Sequence, residues 1–160
     1  MNKIQLKMIG HGSIVLVLGL LAGFGLIMSL IGGFEIYPTK ILEFEIPGST
    51  SSWARAHSGG IMNGMLVILV AIVMHLMKLP KKTTSTLYWM LIGTGYANIL
   101  FYYGGILAGN HRALTFGNNK LGETSIAGII GLLPALIFAF VLIVAVWIIM
   151  KHAFRMAKES

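Results

Sequence analysis

IAGIIGLLPALIFAFVLIVAVWIIM, residues 126–150, is a run of 25 residues with no charged side chain, no side-chain amide and no histidine. As a helix rising 1.5 Å per residue it is long enough to cross the roughly 30 Å hydrocarbon core of a bilayer. Toward the N-terminus the same character returns in Leu87–Leu107, His57–Met77 and Gly12–Ile31, each near the ~20 residues that a crossing needs. Lipid offers backbone N–H and C=O groups no partner, so segments of this length cross it as helices. The chain reads as an all-α membrane protein: a four-transmembrane-helix bundle forming one integral membrane domain over 1–160, with helices at 12–31, 57–77, 87–107 and 126–150.

Composition agrees. Hydrophobic residues make up 56% of the chain and charged ones 11%, against roughly 25% charged in an average soluble domain. Four spans use nearly all of the apolar residues and leave none for a second, soluble module. The formal charge of +7 does not indicate nucleic acid, because the basic residues flank apolar segments and form no stripe with interleaved aromatics. With no cysteine, disulfides, iron–sulfur clusters, thiolate-bound haem and covalently attached haem are all excluded.

Lys3, Lys7, Lys78, Lys81, Lys82, Lys151, Arg155 and Lys158 fall on the side shared by both termini and the second link. The other side holds Lys40, Arg55, Arg112 and Lys120, accompanied by Glu35, Glu43, Glu45 and Glu123. The positive-inside rule then puts both termini in the cytoplasm, and the expected location is the bacterial inner (cytoplasmic) membrane. The first span follows two lysines as a signal peptide would, but it has no small-x-small cleavage site and reads as retained. Trp53, Trp89 and Trp147 fall near the expected interfaces.

Between the first two spans, Phe34-Glu35-Ile36-Tyr37 and Ile41-Leu42-Glu43-Phe44-Glu45-Ile46 alternate apolar with acidic residues, the period of a strand with one dry face. This segment is expected along the membrane surface or over the bundle. The following Gly48-Ser49-Thr50-Ser51-Ser52 run is read as ending any regular element. Gly19-x-x-x-Gly23 and Gly60-x-x-x-Gly64 place small residues on one helix face, where backbones can approach closely. Pro134 is expected to kink the fourth helix.

No Asp, Glu, Lys or Arg lies inside any span, which argues against a proton pump, a coupled ion transporter and catalysis by paired carboxylates. His, Asn, Tyr and Thr remain. The five histidines include His11, His75 and His152 on the cytoplasmic side and His57 and His111 on the outer side; none pairs at i, i+3 or i+4, so there is no two-histidine zinc face. His57 follows Arg55 and precedes Ser58, Gly59 and Gly60, small neighbours that leave room for a flat ligand. It is either a haem ligand or an interfacial histidine bonded to a backbone carbonyl. Arg55 is suited to a haem propionate or simply to solvent, with Arg112 a weaker alternative. Thr94, Asn98 and Tyr102 share one face of the third span, as a site or as helix–helix glue. Asn63 has the same two readings and lies about 240° around its helix from His57.

Several stretches, in order along nearly the whole chain, resemble the styrene oxide isomerases: Gly10-His11-Gly12, Gly32-Gly33-Phe34-Glu35-Ile36-Tyr37-Pro38, Ile46-Pro47-Gly48-Ser49, Trp53-Ala54-Arg55-Ala56-His57-Ser58-Gly59, Asn63-Gly64-Met65, Ala97-Asn98, Phe101-Tyr102 and Leu114-Thr115-Phe116-Gly117. That resemblance implies a small membrane isomerase that assembles as a homotrimer and binds haem b, with His57 as axial ligand of the iron and Asn63 and Tyr102 beside the substrate. The implied reaction turns an aryl epoxide (styrene oxide) into an aldehyde (phenylacetaldehyde) by Lewis-acid opening at ferric haem and a 1,2-hydride shift, a Meinwald rearrangement. An upstream styrene monooxygenase is the implied partner. Members of the family carry an aspartate where this chain has Thr94, so Thr94 is counted with the catalytic positions as the one that separates this chain from them. Two other readings stay open on the residues alone: a membrane haem protein for electron transfer or sensing, and a non-enzymatic scaffold.

Overall fold

A computed structural model describes residues 1–108, 113–116 and 125–159. His111, Arg112, Gly117, Lys120 and Glu123, named above, lie outside the described residues. The described chain has four long helices and one hairpin: α1 (Lys3–Ile31), β1 (Gly33–Tyr37), β2 (Lys40–Glu43), α2 (Thr50–Leu76), α3 (Lys81–Leu107) and α4 (Ile126–Glu159). All four helices are long and apolar enough to cross a membrane.

Each helix outruns its apolar stretch at one end or both. Hydropathy marks only the part of a helix that must be dry, whereas the hydrogen-bond ladder continues until something caps it. Asn2 and Gln5 form a reciprocal capping box, 3.0 and 2.9 Å, that starts α1 at Lys3 and not at Gly12. Gly32, at φ 67°, ends it in a left-handed turn. The serine run corrects an expectation: it begins α2 instead of ending regular structure. Ser49 is the N-cap, accepting from the Ser52 N–H at 3.2 Å, so α2 starts at Thr50 and not at His57. Serine favours caps and turns for the same reason, a short hydroxyl within reach of nearby backbone, and spacing alone did not separate the two. α3 begins at Lys81, just after Pro80, and α4 continues past Met150 to Glu159 with Pro134 inside it.

β1 and β2 pair antiparallel, with Phe34 opposite Leu42 and Glu35 opposite Ile41. The strands expected from alternation are present; within the described chain only Gly33 of the two strands is buried, while Phe34, Ile36, Ile41 and Leu42 are exposed and are not covered by the bundle.

Glycine brings α1 and α2 together. A Cβ added at Gly19 would sit 2.5 Å from the Ile61 amide nitrogen, and one at Gly64 2.6 Å from the Leu16 nitrogen. The small-residue pairs thus serve a contact within one chain. α3 packs mainly on α4, where Gly104 and Gly131 meet. The main core, built on Met8, Val67, Ala71, Met74, Leu87, Leu91 and Ala145, fills the end of the bundle where α1 begins and α2 ends. Toward the other end a smaller cluster among the described residues, Ala22, Ala56 and Ile106, is buried, with Trp53, Tyr102 and Tyr103 packed around it.

Candidate active site

His57 lies two turns into α2 and turns toward α1. Its imidazole rests on Gly23, whose missing side chain makes the space: an added Cβ would come within 2.9 Å of both Nδ1 and Cε1. Nδ1 is 3.0 Å from the Gly19 carbonyl oxygen. A carbonyl only accepts, so Nδ1 carries the proton and Nε2 keeps a lone pair. Beside the ring is an open apolar recess of about 480 Å³ lined by Leu20, Gly23, Phe24, Leu26, Ile27 and His57. A backbone carbonyl holding one imidazole nitrogen so that the other is basic and aimed is how metal-binding histidines are set. The contact with a backbone carbonyl expected under one reading of His57 is present, and it leaves Nε2 available to a ligand.

These residues fit haem b. Among the described residues no three His, Cys, Asp or Glu side chains cluster, so a bare metal ion has no cage. Haem iron arrives with four ring nitrogens and needs one imidazole and an apolar wall, both of which are here.

A second polar group lies between α2 and α3, where hydrogen-bond logic fixes every amide. Asn63 is 2.7 Å from the Gly59 carbonyl, a pure acceptor, so the atom there is Nδ2. Asn63 Oδ1 then faces α3 and accepts from Asn98 Nδ2 at 2.6 Å. The second Nδ2 proton of Asn63 points at the Tyr102 hydroxyl, a longer contact of 3.4 Å. Tyr102 lies across α2 at Gly59, where any Cβ would overlap its ring. Asn63 also lines an apolar recess of about 480 Å³ with Met62, Met65, Leu66 and Leu69.

Of the residues singled out in the sequence, Asn63, Asn98 and Tyr102 are brought together, and His57 is not among them. His57 points to α1 and Asn63 to α3, as their separation around α2 requires. Thr94 is buried, 2% exposed, with its hydroxyl donating to the Met90 carbonyl at 2.8 Å one turn below Asn98. Arg55 donates to the buried Ser52 hydroxyl at 3.0 Å.

The sequence profile of the family described as "Styrene oxide isomerase" matches residues 4–154. A protein of Pseudomonas fluorescens named "Styrene-oxide isomerase" is 41% identical over 155 residues, covering 97% of this chain and 91% of that protein. This chain belongs to the styrene oxide isomerase family. It is accordingly an isomerase by family, which weighs against the electron-transfer and scaffold readings. In this member, polar contacts that the sequence did not single out also tie the helices together. His11 Nδ1 is 2.9 Å from the Tyr96 hydroxyl, with the rings edge to face, and the Tyr103 hydroxyl donates to the Leu18 carbonyl at 2.9 Å. Neither pair has a helical spacing, because each joins α1 to α3 across more than eighty residues of chain; only the unusual aromatic content of α3 hinted at them.

Proposed function

We propose that this chain rearranges an aryl epoxide, styrene oxide or a close analogue, to the corresponding aldehyde, with haem b held by His57. The observation that carries the proposal is the His57 imidazole, its tautomer set by the Gly19 carbonyl and its Nε2 free beside an apolar recess. When bound, ferric haem supplies a Lewis acid that polarises the epoxide C–O bond. Arg55 is the proposed propionate partner, since a planar guanidinium fork suits a carboxylate at an interface.

The chain's own contributions follow from its residues. Opening at the benzylic carbon places positive charge there and negative charge on oxygen. Tyr102 is the donor whose hydrogen bond strengthens as that oxygen charge grows, an effect of about 3 kcal/mol for a well-placed donor, and Asn63 borders the substrate and supports the phenol by donating to its oxygen. The positive carbon is stabilised by the substrate's aryl ring, and a hydride from the neighbouring carbon moves to it as the oxygen pair forms the C=O bond. Atoms and electrons balance within one molecule. Apolar walls such as Met62, Leu66, Leu20 and Ile27 exclude water, which would otherwise capture the cation as a diol. Thr94, its proton committed to Met90, is proposed to shape the floor beneath Asn98 where relatives present a charge.

Within one chain the His57 recess and the Asn63 recess lie on different faces of α2 and both open sideways. The proposed assembly is a homotrimer in which the first recess of one subunit meets the second recess of its neighbour, so that imidazole and phenol flank one site. The charge distribution supports an inner-membrane location with both termini cytoplasmic. A styrene monooxygenase, which makes the epoxide from the alkene, is the proposed upstream partner.

Purified protein is expected to show a Soret band and to yield phenylacetaldehyde from styrene oxide, and His57→Ala is expected to lose both. Wild-type protein that isomerises the epoxide with no haem band ends the haem proposal; haem-loaded protein inert toward every aryl epoxide ends the isomerase proposal.

A further inference from the structure

We propose that Asn98 is a positioning residue: its amide donates to Asn63 and thereby holds the Tyr102 hydroxyl as an acceptor from Asn63, so that the phenol proton is left for the substrate oxygen. The inference rests on the isomerase reading above.

The polarity runs in one direction along the chain of contacts. Asn98 Nδ2 gives a hydrogen to Asn63 Oδ1 at 2.6 Å, the shortest contact of the group. With that oxygen occupied from α3, Asn63 must turn both of its own hydrogens the other way. One goes to the Gly59 carbonyl at 2.7 Å and the other toward Tyr102 Oη at 3.4 Å. A phenol that receives a hydrogen on its lone pair has its O–H turned elsewhere and is a better donor for it. If Asn63 were reversed, its oxygen would face the Gly59 carbonyl, with like dipoles opposed, and would accept the Tyr102 proton. That proton would then be spent inside the protein.

Asn98 does not need to touch the substrate for this. It stands on α3 one turn before Tyr102, on the same face, and reaches across to α2. Helix glue alone would require only that some hydrogen bond join Asn63 to Asn98, in either sense. The positioning role requires this one sense, and that difference can be measured.

Asn98→Leu removes the donor at nearly constant volume, leaving the Gly59 carbonyl alone to hold the sense of the Asn63 amide and Asn63 Oδ1 in want of a donor that the Tyr102 hydroxyl can supply. Asn98→Gln keeps an amide donor. In trimeric, haem-loaded protein, Asn98→Leu is expected to lower kcat about tenfold or more with KM for styrene oxide and the Soret band unchanged. Asn98→Gln is expected to recover most of the lost kcat. A second readout is independent of turnover: the Tyr102 C–O stretch, read by infrared difference between ring-labelled protein and Tyr102→Phe, distinguishes a phenol that accepts from one that donates. It is expected to move toward the donor position in Asn98→Leu and to stay in Asn98→Gln.

Wild-type kcat in Asn98→Leu, or a Tyr102 band that does not move, overturns the proposal and leaves Asn98 as helix glue. Tyr102→Phe separates this failure from that of the underlying reading. Full kcat in Tyr102→Phe removes the phenol from the reaction altogether, whereas loss of kcat there beside full kcat in Asn98→Leu defeats only the role given to Asn98.

Discussion

Two glycines decide where the reactive side chains can be. Gly23 leaves room for the His57 ring, and Gly59 leaves room for the Tyr102 ring. Alanine is the better helix former by up to about 1 kcal/mol, so substitution at either position is expected to disturb the site without unfolding the helix. In Gly23→Ala the new methyl would stand 2.9 Å from His57 Nδ1 and Cε1, forcing the ring off the Gly19 carbonyl. Haem affinity, read by titrating apoprotein and following the Soret band, is expected to fall tenfold or more, in the range for losing an outer-shell partner of a metal ligand. Gly59→Ala should do the opposite, keeping haem and lowering kcat as the phenol is pushed off α2. Normal haem uptake by Gly23→Ala would show that the ring seat on α1 is not what presents the imidazole. His57 and Tyr102 stood out in the sequence because polar groups at membrane depth are few. Their glycine partners did not, since in a chain with 20 glycines the spacing of small residues says that something approaches closely but not what approaches.

Apolar length gave the number of helices and their order, and each expected span overlaps one helix. It failed at the ends for one physical reason: hydropathy measures what lipid demands, while a helix end is set by capping groups that work in water. Ser49 shows this most clearly. Its hydroxyl accepts the Ser52 N–H and also contacts the Ser51 and Ser52 hydroxyls, at 3.0 and 2.9 Å. The turn so formed carries Trp53, whose indole N–H donates to the Pro47 carbonyl at 2.9 Å, and it sets the first turn of the helix that bears His57. Ser49→Ala is expected to cost about 1 kcal/mol, typical for a lost N-cap, seen as a lowered unfolding midpoint in mild detergent. Haem should remain bound at low temperature. An unchanged midpoint would mean that the neighbouring hydroxyls cap α2 equally well. The hairpin was legible in part: period-two alternation gave β1 and β2, but pattern alone does not tell which partner covers an apolar face, and the described residues leave Phe34, Ile36 and Leu42 exposed.

At the scale of the whole molecule, the separation of His57 from Tyr102 around α2 has a consequence that no single-chain arrangement shares. If each site takes its imidazole from one subunit and its phenol from the next, two inactive variants can repair each other. His57→Ala subunits retain Tyr102, and Tyr102→Phe subunits retain His57. In a closed ring of three, any mixed trimer has one junction at which an intact imidazole meets an intact phenol. Random mixing of equal amounts makes about three quarters of the rings mixed, each with one good junction in three, so about a quarter of wild-type activity is expected to return. Co-expression with two different affinity tags and purification over both isolates the mixed rings, where activity should rise to about a third of wild type. Mixed rings no more active than the two parent variants would place imidazole and phenol at one site within a chain. That result would require α2 to present both faces to one ligand, which the Gly19 and Gly59 contacts of His57 and Tyr102 oppose.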